Sequence, residues 1–240
     1  HSNIDVNTFG VDVSLESELG PGTLVYGVDF YHDNVDSSGS TNNAAGTKYK
    51  ESLPIADDSD YDLLGIYSQY LWKPMDKLEI TGGARYTYAE ASLGRFYDPK
   101  SVQQPSDSQN WNSLVGSLRG LYRFNNEWSV YGGLSQAFRA PNLDDLTGNM
   151  TAKSGSTSLG STSVDPEEFL TYEIGTRQVT ETTSLELSFF YTDAKDVITG
   201  VPIAAKSKDS ITTNASEGYI YGVELQGAWK FHPQWTLSGF

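Results

Sequence analysis

The fold is decided by the stretch YIYGVELQGAWKF, residues 219–231. Its odd-numbered positions carry large apolar side chains or glycine, and its even-numbered positions are mostly small, polar or charged. A repeat of two residues places alternate side chains on opposite faces of a β-strand. The stretch has 13 residues, whereas an ordinary strand has about five or six. An outer-membrane strand needs ~9–11 residues with apolar side chains toward lipid, so the stretch is typical of a transmembrane strand.

The same alternation recurs about nine times along the chain and predicts an all-β fold, an antiparallel transmembrane β-barrel. One of these segments, 60–72, alternates poorly, and its two faces cannot be assigned from the pattern. A tenth strand begins at Gln234 but has only about seven residues before the last residue. The nine expected strands are 4–19, 22–32, 60–72, 77–91, 110–124, 127–139, 167–179, 183–198 and 219–231.

Short turns alternate with long polar segments, which is the arrangement of outer-membrane barrels with short periplasmic turns and long extracellular loops. Four tryptophans, Trp72, Trp128, Trp229 and Trp235, lie close to short turns and are expected at the periplasmic rim of the membrane. The expected turns contain Pro21, Pro74, Asn125, Glu181 and Pro233, and the expected loops are 36–58, 93–109, 140–165 and 199–216.

Composition narrows the possible partners. The chain has 240 residues, no cysteine and a net charge of −15, so a nucleic acid is not an expected partner. Mean hydropathy is −0.42 and no 18 apolar residues run together, which excludes a transmembrane helix in the sequence. Asp58, Asp60 and Asp62 are spaced two apart, but without the glycine and distal glutamate of a calcium loop they predict no metal site.

The barrel is expected to be incomplete. Phe240 is aromatic, but the in-phase positions Ser238, Thr236 and Gln234 are polar, unlike the end of a natural barrel. No secretion signal precedes the first strand, which implies that residues are missing upstream. The expected lumen face is also highly charged, which suits a wide, plugged barrel better than a narrow one. Its charged residues are Asp12, Asp29, Arg85, Arg119, Arg123, Glu173 and Arg177.

Three runs carry a family resemblance: SQAFRAPNLDDL at 135–146, PEEFLTYEIG at 166–175 and NASEGYIYGVE at 214–224. They resemble, in order and spacing, segments of TonB-dependent outer-membrane receptors. The resemblance implies that residues 1–240 are part of a 22-stranded barrel, without the plug domain, the TonB box and the C-terminal strands. It also implies import of a nutrient complex, an iron–siderophore or similar chelate, driven by the TonB complex, with lipid around the barrel and no cofactor.

Haem is not supported as the ligand by this resemblance. Haem receptors of the family carry a histidine between the FRAP run and a following NPNL run. Residues 142–165 contain no histidine, and the second run is degraded to Ser163-Val164-Asp165-Pro166-Glu167. Other iron chelates, cobalamin and further nutrient complexes stay open.

The candidate ligand-binding residues are Arg139, Asn142, Asp144 and Asp145, at the point where the sixth strand enters a long loop. Arg139 either meets an anionic ligand or pairs with a lumen carboxylate such as Glu173. No catalytic group is predicted, because neither a nucleophile nor a base–acid constellation emerges. The family motif consists of Phe138, Arg139, Ala140, Pro141, Asn142 and Leu143.

Three other readings remain open from the residues alone. A barrel of about ten strands could be a small outer-membrane enzyme, with His32 near Asp29 and Asp33, or a passive porin. A soluble adhesin or carbohydrate-binding module is a third possibility. It is disfavoured because exposed rows of Leu, Tyr, Phe and Trp would aggregate in water.

Overall fold

The computed structural model describes residues 2–42, 49–51, 53–97, 102–152 and 154–240. Nine long strands dominate this described part, with six short strands and one short helix beside them. In chain order the elements are β1 (Ser2–Leu19), β2 (Gly22–Asn42), β3 (Tyr49–Glu51), β4 (Ser59–Met75), β5 (Leu78–Leu93), β6 (Phe96–Tyr97), β7 (Gln103–Gln104), β8 (Asp107–Arg123), β9 (Trp128–Arg139), α1 (Leu143–Thr147), β10 (Asn149–Thr151), β11 (Thr157–Leu159), β12 (Glu167–Val179), β13 (Thr183–Pro202), β14 (Ser210–His232) and β15 (Trp235–Gly239).

The long strands form one antiparallel meander in the order β1-β2-β4-β5-β8-β9-β12-β13-β14, and β15 pairs with β14. Each long strand therefore lies beside its neighbour in sequence, as in an up-and-down barrel. The sheet curls into part of a barrel wall. The predicted all-β, antiparallel barrel fragment is confirmed, and each of the nine expected strands has its counterpart among the long strands.

Several strands are longer than the sequence predicted. β2 continues ten residues beyond the expected end at 32 to Asn42, and β14 begins at Ser210 instead of 219. The expected loops 36–58 and 199–216 are therefore partly strand. Beyond the membrane both faces of a strand are in water, so these extensions are polar and lack the alternation that marks the spanning parts. Positions 43–48, 52, 98–101 and 153, which belong to expected loops, lie outside the described residues.

One face of the sheet is an apolar belt. Val13, Val28, Ile66, Tyr86 and Leu114 lie side by side across five strands, and Leu114 is 71% exposed. Such a continuous exposed apolar surface requires lipid or a partner to cover it. The register also assigns the strand whose faces were unclear, since Ile66 of β4 lies in this row and Gly65 points to the other face.

The belt ends at a polar row toward the long loops. Phe30 and Leu64 are its last apolar pair there, and His32 and Asp62 form the next pair on the same face. At the other end of the strands the four tryptophans, Trp72, Trp128, Trp229 and Trp235, are all exposed, in keeping with the expected rim.

The opposite face is lined by paired charges. Arg85 donates two hydrogen bonds to Asp29, at 2.7 and 2.8 Å, and the Asp29 side chain is only 8% exposed. Gly65 lies between them, and any side chain there would collide with the guanidinium. Six of the seven expected charges of the lumen, all except Asp12, are thus held in ion pairs between described residues. The further pairs are Arg119 with Glu173, Arg123 with Glu79 and Arg177 with Glu186.

A small core covers this polar face at the end near the long loops. Its centre is built on Ala91 and Leu93 of β5, which are 0% and 1% exposed. The small side chain of Ala91 leaves room for the segment that follows β9 to pack against the wall. This core cluster consists of Val35, Ile55, Ala56, Ala91, Leu93, Phe96, Leu143, Leu146 and Val164, with Tyr61 and Trp111 against it.

Within the described residues, no helix has the length and apolar character needed to cross a membrane.

Candidate ligand-binding site

The chain leaves the barrel wall directly after Arg139, the last residue of β9. Pro141 follows two residues later and cannot donate a backbone hydrogen bond to a neighbouring strand, which ends the ladder. Its side chain is fully buried, and its carbonyl accepts a hydrogen bond of 3.1 Å from the Tyr61 hydroxyl. Burial raises the pKa of Tyr61 to about 12, so the hydroxyl remains a donor. The segment therefore turns over the polar face and is fixed to β4.

The helix α1 is capped by its own sequence. The Asn142 side chain accepts the backbone N–H of Asp145 at 2.8 Å, and the Asp145 carboxylate accepts the N–H of Asn142 at 3.0 Å. This reciprocal capping satisfies two backbone donors that a helix start leaves unpaired. Leu143 and Leu146 then point into the core cluster, where Leu146 is 1% exposed. The short helix thus presents its apolar side to the wall.

Arg139 joins three parts of the chain. Its guanidinium donates to Glu167 of β12 and, at 2.9 Å, to Asp145 of α1. The other carboxylate oxygen of Glu167 accepts the backbone N–H of Ile198 in β13 at 2.7 Å. The hydrogen bond with Arg139 holds the pKa of the nearly buried Glu167 below its usual value, and raises that of Arg139. We call Arg139, Asp145 and Glu167 the arginine clamp.

A second pair fastens the loop before β4. Asp57 and Arg95 exchange two backbone hydrogen bonds of 2.9 and 3.0 Å and also join through their side chains at 2.9 Å. The other carboxylate oxygen of Asp57 accepts the backbone N–H of Ser37 at 2.9 Å. In the residue before Asp57, the backbone N–H of Ala56 donates to the Thr147 hydroxyl at 2.9 Å. The segment 53–57 and the segment after β9 are therefore built into one unit.

A cavity of about 420 Å³ opens beside this unit on the side of the long loops. Leu146 and Thr147 form one wall and the segment 160–162 forms another. Residues with hydroxyl groups are the commonest in its lining, and Asp107 is the one charged residue among the described residues there. Its further lining residues are Phe96, Tyr97, Gln104, Pro105 and Ser106.

A family model described as "TonB dependent receptor-like, beta-barrel" matches residues 2–240. The chain belongs to the TonB-dependent receptors. It is 26% identical over 193 residues to the pesticin receptor of Yersinia enterocolitica, covering 77% of this chain and 26% of that protein. The chain therefore spans about a quarter of the length of this relative.

Solved structures agree with this assignment at the level of the fold. The copper transporter OprC is similar with a TM-score of 0.78 and 18% identity, covering 98% of this chain and 37% of that one. The ferric yersiniabactin uptake receptor FyuA of Yersinia pestis has a TM-score of 0.66 and 21% identity, covering 99% of this chain and 35% of that one. Membership of the TonB-dependent receptors makes this segment part of a multi-pass β-barrel of the outer membrane.

The predicted site residues fall into two groups in this receptor segment. Arg139 and Asp145 belong to the arginine clamp, and the main chain of Asn142 and Asp144 lies at the start of α1. The Asn142 and Asp144 residues are exposed toward the solvent. Although Asp144 as a whole is exposed, neighbouring protein atoms partly desolvate its carboxyl group, and this together with the nearby Asp145 raises its pKa. Of the motif residues, Pro141 and Leu143 are buried, whereas Phe138 and Ala140 are half-buried.

Arg139 pairs with a carboxylate of the lumen face, as one of the two alternatives expected, but Glu173, the residue named as an example, is not its partner. Glu173 lies six residues farther along β12 and is bound by Arg119 at 3.6 Å, whereas Arg139 is bound by Glu167. Both glutamates point to the same face, so alternation alone did not separate them. Glu167 was missed as a site residue, although it stands in the run at 166–175 that carried the family resemblance.

His32 was also misplaced. It binds Asp62 at 2.8 Å and lies 3.6 Å from Asp60, on the face opposite Asp29. The pairing with Asp29 and Asp33 that the small-enzyme reading expected fails, because residues 29 and 33 project from the other side of β2. Among the described residues, no group of three or more His, Cys, Asp or Glu side chains is arranged to hold a metal ion.

Proposed function

We propose that this chain forms the central part of an outer-membrane receptor that binds a scarce metal chelate, such as an iron–siderophore, and imports it with energy from the TonB complex. The observation that carries the proposal is the segment after β9. It crosses onto the polar face and is fixed there by the core cluster and the arginine clamp. A fixed structure in the mouth of a barrel provides a preorganised surface for a ligand.

We further propose that the cavity beside α1 takes up part of the chelate. Asn142 and Asp144 lie outside the cavity lining and are exposed, and we propose that they contact the part of the chelate outside the cavity, while Arg139 and Asp145 hold α1 in place. The guanidinium of Arg139 already has two carboxylate partners, so a direct bond to an anionic ligand would require one of them to be displaced. The hydroxyl-rich lining favours a ligand recognised by hydrogen bonds.

Uptake by cells tests the function. A strain that lacks the full-length gene is compared with the same strain carrying the gene on a plasmid. Both are grown under iron limitation and given radioactive iron in a panel of chelates. The proposal expects uptake of at least one chelate to depend on the gene and to stop when the proton gradient is dissipated. Uptake that persists without the gradient would indicate a passive porin, and gene-independent uptake of every chelate would contradict the proposal.

Filling the cavity tests the site. Thr162→Trp places a large side chain in the cavity, and Ser158→Trp places the same side chain at an exposed position of the same segment. The first variant should lose affinity for the imported chelate at least tenfold, and the second should keep it. Equal affinity in both variants would place the ligand elsewhere while leaving the transport proposal intact.

A further inference from the structure

The barrel wall opens between β8 and β9. These strands are paired only where residues 117–123 face residues 129–135, although β8 begins at Asp107 and β9 continues to Arg139. On their outer sides both strands stay paired throughout, β8 with β5 and β9 with β12. The result is a wedge-shaped opening toward the long loops, which we call the β8–β9 gap and which separates residues 107–116 from residues 136–139.

The edge of β8 in this gap carries backbone groups in strand geometry. The N–H of Gly116 donates to Oε1 of the Gln136 side chain at 3.0 Å, which shows that even-numbered residues of β8 direct their backbone groups into the gap. The same direction therefore holds for Asn110, Asn112 and Leu114. Among the described residues none bonds to the main chain of these three across the gap. The Gln136 amide occupies the place of a neighbouring peptide group, and the positions beyond it are unfilled.

The outer mouth of the gap is a cavity of about 790 Å³. Its lower part is apolar, with Leu114, Leu170 and Tyr219, where the gap reaches the belt. Its upper part is charged: Glu168, Lys195 and Glu217 lie side by side across three strands, and Asp193 lines the same cavity. Three carboxylates against one ammonium give the mouth a negative charge, which attracts cationic groups.

We propose that the β8–β9 gap is a docking site for an extended, basic peptide segment of a partner polypeptide, which adds as a strand to the free edge of β8. An unpaired edge offers hydrogen bonds to any extended chain, and alternate side chains of that chain then select for sequence. Lysine or arginine at every second position would face the carboxylates at the mouth. Small residues line the opening, Gly116 and Ser113 on one side and Ala137 on the other, so a backbone can approach closely.

Binding of a defined peptide to the full-length receptor in detergent tests the proposal. The probe is a fluorescent nine-residue peptide of alternating lysine and valine, capped at both ends, and the comparison peptide has glutamate in place of lysine. Asn112→Pro removes one N–H from the gap edge without touching the pairing with β5, and Asn112→Ala is the matched control that keeps it. The lysine peptide should bind, the glutamate peptide should not, and Asn112→Pro should lose affinity on the order of tenfold while Asn112→Ala does not.

Cross-linking provides a second measurement that does not depend on the proline variant folding. With Asn110→Cys as the sole cysteine of the receptor, lysine peptides carrying one cysteine at successive positions should cross-link with a period of two residues. Equal cross-linking at every position, or equal binding to Asn112→Pro and Asn112→Ala, would mean that the peptide only adheres to an acidic surface and would overturn the proposal. Protection of the cysteine by lipopolysaccharide but not by the peptide would assign the gap to lipid and overturn it as well.

Discussion

Arg139 and Glu167 form the last cross-strand pair between β9 and β12, immediately before β9 leaves the sheet. The same glutamate accepts the backbone N–H of Ile198, and the same arginine binds Asp145 of α1. One ion pair therefore connects three strands of the wall to the segment that lies over the polar face.

Removal of the guanidinium should loosen the segment after β9. Arg139→Ala leaves the nearly buried Glu167 without its charge partner, and we expect a local destabilisation of about 1–3 kcal/mol, moderated because Arg139 itself is partly exposed. Hydrogen exchange of residues 142–162 measures it. Arg177→Ala, which breaks an ion pair near the opposite end of the barrel, is the control and should leave this exchange unchanged. Unchanged exchange in Arg139→Ala together with lost chelate affinity would instead make Arg139 a direct ligand contact.

Acid should release the same segment. The pKa of Glu167 in the folded protein lies below its ordinary value of 4.5 because Arg139 hydrogen-bonds the carboxylate. The stabilisation is therefore fully present above about pH 4.5 and is lost as the pH falls through the folded value. Pepsin digestion at decreasing pH should show cleavage within 142–162 before the wall unfolds. Glu167→Gln should be cleaved at the same rate across this range, and a variant that keeps the wild-type pH profile would exclude Glu167 as the cause.

Leu146 should be the strongest apolar anchor of the segment. It is 1% exposed within the core cluster, so Leu146→Ala should cost about 2–5 kcal/mol of local stability by leaving a cavity. Leu225→Ala removes the same atoms from the apolar belt, where Leu225 is 56% exposed, and should leave the segment intact. Hydrogen exchange of residues 142–162 in the two variants makes the comparison. Equal exchange in both would show that the core cluster does not hold the segment.

The side of the membrane that each loop faces can be predicted, because the long loops lie at one end of the strands and the short turns at the other. Single cysteines are introduced into the full-length receptor at Ser156 in the segment after β9 and at Asn126 in the turn between β8 and β9. On intact cells a membrane-impermeant maleimide should label the first and spare the second, since long loops face outside and short turns face the periplasm. The opposite pattern of labelling would invert the barrel and remove the cavity beside α1 from the ligand's route.

The sequence predicted the spanning strands because lipid on one side and polar groups on the other enforce a repeat of two. It failed on β4, where Tyr61, Leu63 and Tyr67 make the polar face as apolar as the belt face with Leu64 and Ile66. Tyr61 explains part of this, since it packs against the core cluster that only the folded chain creates. The alternation of apolar and polar residues is therefore lost where the inner face of a strand is also buried.

The sequence predicted where the candidate site lies in the chain but not which residues contact each other there. The motif from Phe138 to Leu143 marks the exit from β9, as the structure has it. Whether Arg139 reaches Glu167 or Glu173 depends on the register between β9 and β12, and a shift of six residues leaves every side chain on its own face. The β8–β9 gap could not be predicted from the sequence. Both strands show the usual alternation, and the pattern within a strand does not reveal whether it is paired with its neighbour.

In the segment after β9, neighbouring residues have two different roles: some attach the segment to the wall, and others face the solvent. Leu143 and Leu146 face the wall, while Asn142 and Asp144, one or two positions away, face the solvent. Asn142 also caps α1, whereas the Asp144 side chain takes part in neither the capping nor the arginine clamp, so variation at position 144 would alter the proposed contact surface without disturbing how the segment is attached. If the proposed site is correct, a receptor offered a new chelate could change its specificity by a single substitution at position 144, which contributes little to folding.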